Sequence, residues 1–198
     1  MAQITAELVK TLREKTNVGM MECKAALTEA DGDLEKAETI LRKKGIAKAD
    51  KKADRQTKEG IIASYIHLAG RVGVLIEVNC ETDFVAKNDN FRELVKDITL
   101  HIAASNPRFL QREDVPAEFI AKEREIAAEQ VKGKPANIVD KIVDGKIEKV
   151  FAENCLLEQA FIKNPDMTIR DLLKSKIAEI GENLVIRRFV RYAVGEEI

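Results

Sequence analysis

Cys23, Cys80, Cys155, His67 and His101 are the side chains of this sequence best suited to nucleophilic, redox or metal chemistry. The cysteines are odd in number and far apart, which matches neither a secreted disulfide framework nor a paired zinc spacing, so they read as reduced thiols. Each histidine stands alone, without the spacing of a metal site, and reads as structural or surface. Cys80 and His67 could act as nucleophile and base if two strands brought them face to face, because a thiolate needs a nearby imidazole and some exposure. The other reading makes Cys80 a small buried hydrophobe at the end of an apolar strand face. No glycine precedes a Lys-Ser or Lys-Thr pair as a phosphate loop requires. Gly70 and Gly73 lie in a hairpin and do not open a dinucleotide-binding helix. No catalytic residue, metal or cofactor is assigned, and the expectation is a protein that grips another protein.

Two segments could do the gripping, and a third could instead contact nucleic acid. Met20-Met21 follows Gly19 at the start of a short helix, where a three-helix module is least able to bury two thioethers. Asp83-Phe84 stands at a strand-to-helix turn, where an aromatic ring beside a carboxylate either projects as a wedge or caps the core. Arg42, Lys43, Lys44, Lys48, Lys51, Lys52, Arg55 and Lys58, set against Asp50 and Asp54, could touch RNA phosphates. Without an aromatic or glycine platform they read better as a solvated helix face, so no specific nucleic-acid partner is expected.

Those segments need elements to hold them. Thr5 can cap a first helix that carries Leu8 and Leu12 on one face, with Ile4 stapled to Val9. Thr16-Asn17-Val18-Gly19 breaks it. A second helix runs from about Met20 to Ala30, and a third carries Leu34, Ala37 and Leu41 up to Gly45. Residues 46–59 have helix formers but no apolar stripe and read as a connecting helix. From Gly60 the period changes: Val72, Val74, Ile76, Val78 and Cys80 alternate with Gly73, Leu75, Glu77 and Asn79, the second strand of an antiparallel hairpin. Phe91, Leu94, Val95, Ile98 and Ile102 mark an amphipathic helix ended by Asn106-Pro107. More helix follows from Pro116 to Gly133-Lys134-Pro135 and on to about Glu153. A short strand at 160–162, a capping box at Thr168 and Asp171, a helix stopped by Gly181 and a last strand over 184–194 complete the chain.

The fold class is therefore α+β: a three-helix module (1–45), a linker helix (46–59) and a core of packed helices with a small antiparallel sheet (60–198). A length of 198 residues suits one sizeable domain with a small satellite. Aromatics are only 5% and tryptophan is absent, so the core must be aliphatic. A net charge of -1 gives the whole chain no electrostatic reason to seek nucleic acid or anionic membrane. The N-terminus has neither the basic start nor the apolar run of a secretory signal, and no stretch is long enough to span a bilayer, so a cytoplasmic location is expected.

Four segments carry a resemblance: Leu12-Arg13-Glu14-Lys15-Thr16; Gly19-Met20-Met21-Glu22-Cys23-Lys24-Ala25-Ala26-Leu27; Val78-Asn79-Cys80-Glu81-Thr82-Asp83-Phe84-Val85-Ala86-Lys87-Asn88; and Ile180-Gly181-Glu182-Asn183. In order and spacing they resemble the bacterial translation elongation factor Ts family over nearly the whole chain. The resemblance implies a guanine-nucleotide exchange factor for the GTPase elongation factor Tu, with a ubiquitin-associated-like (UBA-like) N-terminal domain. It implies that Asp83 and Phe84, within the run Thr82-Asp83-Phe84-Val85, enter the GTPase near its magnesium and switch region. It implies docking of the N-terminal domain through Leu12, Met20, Met21 and Lys24. The length is similar to the short family form, which implies a homodimer with 60–198 as the dimerisation domain. Asn17-Val18 stands where the family often has Gly-Ala, and Asn tolerates a left-handed turn. Val190 stands where some short members carry cysteine, which excludes a covalent dimer through that position.

Overall fold

The computed structural model describes residues 4–16, 18–131 and 135–196. The expected breakers Asn17, Gly133 and Lys134, and the N-terminal Met1 to Gln3, lie outside the described residues. Two compact units emerge. One combines Met1–Gly60, Asn79–Phe91 and Leu173–Val185; the other combines Ile61–Val78, Arg92–Leu172 and Ile186–Ile198. Among the described residues no helix is long and apolar enough to cross a membrane.

In the first unit, Thr5 caps helix α1 (Ala6–Thr16) by accepting the Leu8 N–H at 3.3 Å. Such a cap contributes about 1 kcal/mol. Helix α2 (Met20–Glu29) leaves through Gly32, whose φ of 85° needs a residue without Cβ and whose N–H returns to the Leu27 carbonyl at 2.8 Å. Asp33 then caps helix α3 (Leu34–Asp50), its carboxylate accepting from Glu35 N at 3.0 Å and Lys36 N at 3.1 Å. Val9, Leu12, Cys23, Ala26, Leu27, Ala30, Ala37 and Leu41 form the shared core of these helices.

Gly45 does not end α3. A Cβ there would sit 3.3 Å from Ala178 Cβ, so the glycine permits close approach between α3 and a later helix of the same unit. The expected linker helix is accordingly split. Residues to Asp50 complete α3, Lys51 to Arg55 form turns, and strand β1 (Glu59–His67) begins soon after.

In the second unit β1 turns through Leu68, Ala69 and Gly70, at φ 50°, 53° and 91°, into strand β2 (Val72–Cys80). Val72, Val74, Ile76, Val78 and Cys80 are buried, as their alternation predicts, and Leu75 is exposed. After the one-turn helix α4 (Asp83–Ala86), which belongs to the first unit, comes α5 (Asp89–Ser105), whose Phe91, Leu94, Val95, Ile98 and Ile102 are all buried. Asn106, at φ 46°, closes it with an N–H to the Ile102 carbonyl.

Helices α6 (Ala117–Glu129) and α7 (Ala136–Asn154) pack as a pair around Ala127, Val131, Val143 and Ile147. Arg124 and Asp144 pair across them at 2.9 Å. Strands β3 (Ala160–Phe161) and β4 (Asn164–Thr168) make a small antiparallel hairpin. The capping box is formed as expected: Thr168 N donates to Asp171 Oδ2 at 3.2 Å and Asp171 N to Thr168 Oγ1 at 3.1 Å, opening α8 (Ile169–Ile180). Strand β5 (Val185–Ala193) completes a three-stranded antiparallel sheet of order β1-β2-β5. The fold is α+β, as the change of period at Gly60 predicts.

His101 of α5 is buried in this unit. Its Nε2 lies 2.9 Å from Gln159 Oε1, and its Nδ1 accepts the Ile162 N–H at 3.3 Å. The neutral ring with hydrogen on Nε2 satisfies both contacts.

Candidate functional site

Strand β2 delivers the chain to a short, tightly bonded turn. Cys80, its last residue, is buried and donates its S–H to the Thr82 carbonyl at 3.1 Å. Thr82 leaves the strand in extended conformation and caps α4, its Oγ1 accepting the Val85 N–H at 3.4 Å. Ala86 is buried and Val85 half-buried, so the single turn of helix has one face seated and the other free. Phe84 is on the free face, 80% exposed. That resolves the two readings left open by the sequence: the ring does not cap the core. Asp83 beside it pairs with Lys87 at 2.7 Å, and this hydrogen bond holds its carboxyl below the usual carboxylate range.

The turn is clamped from a distant part of the chain. Glu182 Oε2 accepts the N–H groups of Glu81 at 3.1 Å and Thr82 at 3.0 Å, while its Oε1 accepts the Thr82 hydroxyl at 2.6 Å. Glu81 returns the favour, accepting the Asn183 N–H at 2.6 Å. The buried Asn183 amide donates to the carbonyls of Ala53 at 3.1 Å and Arg55 at 2.9 Å, and Lys52 donates to the Gly181 carbonyl at 2.6 Å. Glu182 and Asn183 sit in a recognisable sequence segment, but their partners lie 100 to 130 residues away, and no local periodicity encodes that pairing.

The second exposed apolar feature is on α2. Met20 is 50% exposed and Met21 78%, and Met21 with Lys24, Ala25, Thr28 and Glu29 lines a shallow depression. Leu12, expected beside them as a docking residue, has no exposed surface. Its helix turns it into the three-helix core, so it supports the face without presenting one. Of the four residues expected to dock, Met20, Met21 and Lys24 are at the surface.

Two rival readings meet structural obstacles. Cys80 and His67 are each the last residue of a strand, and because β1 and β2 are antiparallel they lie at opposite ends of the pair. Asn79 Nδ2 bonds the Glu59 carbonyl at the start of the nine-residue β1, whereas His67 is its last residue, 2.9 Å from Tyr65 Oη. Antiparallel register thus separates nucleophile from base, and burial, with the Glu182 charge adding to it, pushes the Cys80 thiol up to about 11. The basic run is not a free cationic stripe either. Lys44 pairs with Glu29, Lys48 with Glu22 and Arg55 with Glu81, and Lys52 is used on the Gly181 carbonyl.

Comparison with known proteins supplies the family. A family model described as Elongation factor TS matches residues 2–196. Elongation factor Ts of Carboxydothermus hydrogenoformans is 60% identical over 195 residues, covering 98% of this chain and 90% of that protein. The protein of the same name from Thermodesulfovibrio yellowstonii is 59% identical over 194 residues, 98% of this chain and 97% of the relative. That of Desulfosudis oleivorans is 56% identical over 198 residues, 99% of this chain and the relative's whole length. Both exposed features fall inside these matches, and the chain belongs to the elongation factor Ts family, the guanine-nucleotide exchange factors of elongation factor Tu in translation elongation.

Proposed function

We propose that this chain binds elongation factor Tu in the cytoplasm and expels its GDP by driving Phe84 into the GTPase near the magnesium and phosphate site. The observation that carries the reading is an aromatic ring 80% exposed on a turn hydrogen-bonded to Glu182 and capped by Thr82. An isolated phenylalanine in water is costly to expose, and its apolar surface is recovered when a partner covers it. Asp83, charged and beside it, would reposition the partner's groups at the magnesium, with Thr82 and Val85 seating the pair. No bond in the nucleotide breaks. A factor that binds the nucleotide-free conformation better than the GDP form weakens GDP by the same ratio by which GDP weakens the factor. GTP then enters and displaces it.

In this reading the three-helix module of residues 1–45 docks on the nucleotide-binding domain through Met20, Met21 and Lys24, joined by 46–59 to the core of 60–198. The core also serves as the dimerisation domain. The outer face of the sheet supports a homodimer: Ile62, Ile66, Leu75, Val190 and Tyr192 are all exposed on it. Contacts fix these residues on one face, since Ile66 meets Gly73 and Arg188 pairs with Glu77 at 2.7 Å. A contiguous apolar face of that kind marks an interaction surface.

The deciding experiment is stopped-flow release of labelled GDP from elongation factor Tu. Phe84→Ala is expected to slow release by about a hundredfold with the fold intact, the scale of a misplaced group in an oriented site. Release at the wild-type rate would refute the wedge.

A further inference from the structure

We infer that Glu182 is the positioning residue of the exchange reaction, holding the Thr82 to Val85 turn so that Phe84 meets the GTPase at a fixed angle. This rests on the proposed wedge and adds to it the residue that makes the wedge stiff.

A four-residue helix cannot hold its own shape, because nucleating one turn orders several residues for very few hydrogen bonds. Something outside α4 must supply the order. Strand β2 ends at Cys80, leaving the N–H groups of Glu81 and Thr82 at the strand exit, and both point to one oxygen of Glu182. The other oxygen takes the Thr82 hydroxyl hydrogen at 2.6 Å. That bond sets the rotation of the hydroxyl. With its hydrogen committed to Glu182, its lone pairs are left for the Val85 N–H, the bond that closes the first turn of α4. Three bonds to an ionised acceptor are stronger than their neutral equivalents. The chain of cause runs from Glu182 to the Thr82 hydroxyl, to the Val85 amide, and so to the backbone that carries Phe84.

Glu182 is itself placed by its neighbours. Gly181, at φ 90°, turns the chain out of α8, and its carbonyl accepts Lys52 Nζ. Asn183 is buried and held by the carbonyls of Ala53 and Arg55 and by the Glu81 carboxylate. The carboxylate of Glu182 thus projects from a loop fixed on both sides. It touches neither Phe84 nor, in the proposed reading, the GTPase, so its effect is on geometry.

The test measures GDP release from elongation factor Tu against factor concentration, for the full chain carrying Glu182→Gln, Glu182→Ala, Phe84→Ala or Glu182→Ala with Phe84→Ala. Glutamine keeps the size but has one acceptor oxygen for three donors. Circular dichroism and thermal melting of Glu182→Gln are expected to match wild type, so that this variant carries the result where the alanine variant is unstable. A loosened tip is expected to lower the limiting release rate roughly tenfold or more, as small misplacements do. The factor concentration at half effect should stay within about twofold, because the docking residues are untouched. In the Phe84→Ala background, adding Glu182→Ala should cost nothing further, the non-additivity of groups acting as one unit. A wild-type limiting rate in Glu182→Gln, a change confined to the half-effect concentration, or additive losses in the double variant would each overturn the assignment while leaving the wedge in place. A wild-type rate in Phe84→Ala overturns both.

Discussion

The Phe84 tip and the Met20-Met21 face both expose apolar side chains, and they are supported in opposite ways. Phe84 stands on a single helical turn whose Thr82 donates hydrogen bonds to Glu182, about a hundred residues away. Met20 and Met21 stand on a ten-residue helix seated on a local aliphatic core that includes Leu12, Cys23 and Leu27. A ring with two side-chain torsions on a clamped turn suits a task where angle matters. Flexible thioethers over a hydrophobic base suit a task where covered area matters and the partner's surface can vary. The difference separates two costs: losing the first should impair rate, and losing the second affinity.

The largest effect expected of any single change falls under the docking face. Leu12→Ala empties a fully buried site and should destabilise the chain by about 2–5 kcal/mol, measured by urea unfolding. A loss below about 1 kcal/mol would break the view that Leu12 supports the face from beneath. Next comes Phe84→Ala, with its roughly hundredfold slower GDP release at unchanged stability. Tyr192→Asp places a charge on the apolar sheet face and should shift sedimentation from the proposed dimer towards monomer at micromolar concentration; a wild-type monomer would refute the dimer, and a persistent dimer would move the interface elsewhere. Met21→Ala should weaken affinity for elongation factor Tu only about fivefold, with the limiting rate unchanged, as for one flexible side chain in a larger contact. Titration calorimetry beside stopped-flow reads both, and a fall in the limiting rate would erase the distinction between the two regions.

The smallest effect concerns pH and lies away from both regions. Burial holds the His101 imidazole below its usual range, with the Gln159 hydrogen bond opposing the shift. The native ring therefore stays neutral where the unfolded chain, with a histidine near pH 6.5, already binds a proton. Above about pH 6.5 this group contributes no pH dependence. As pH falls from there towards the folded value, stability declines by at most about 1.4 kcal/mol per pH unit. His101→Gln should flatten that decline between pH 7 and 5 in urea unfolding; an unchanged slope would assign it to other groups.

The more local a feature, the more of it was legible beforehand. Thr5, Thr168 and Asp171 cap as their spacing predicts, because a cap involves residues two or three apart. The strict alternation of β2 and the helical stripe of α5 reappear as buried faces. Gly45 misled, because a glycine that ends a helix and one that lets two helices approach look alike until the second helix is in place. Leu12 lay close in sequence to the exposed methionines, yet the handedness of α1 sends it inward. The possible meeting of Cys80 and His67 failed on register, which a list of residue types does not contain.

From the sequence alone followed the α+β class, most of the elements, the family and the two segments, Met20-Met21 and Asp83-Phe84, whose apolar side chains are exposed. These depend on propensity, periodicity and short motifs, all written within a few residues. Only the tertiary structure decided that Phe84 is free while Leu12 is sealed, that Lys44, Lys48, Arg55 and Lys52 are engaged by carboxylates and a carbonyl, and that Glu182 closes on Thr82. Each of those outcomes depends on which distant atoms come within bonding distance, and that is set by the packing of the chain as a whole.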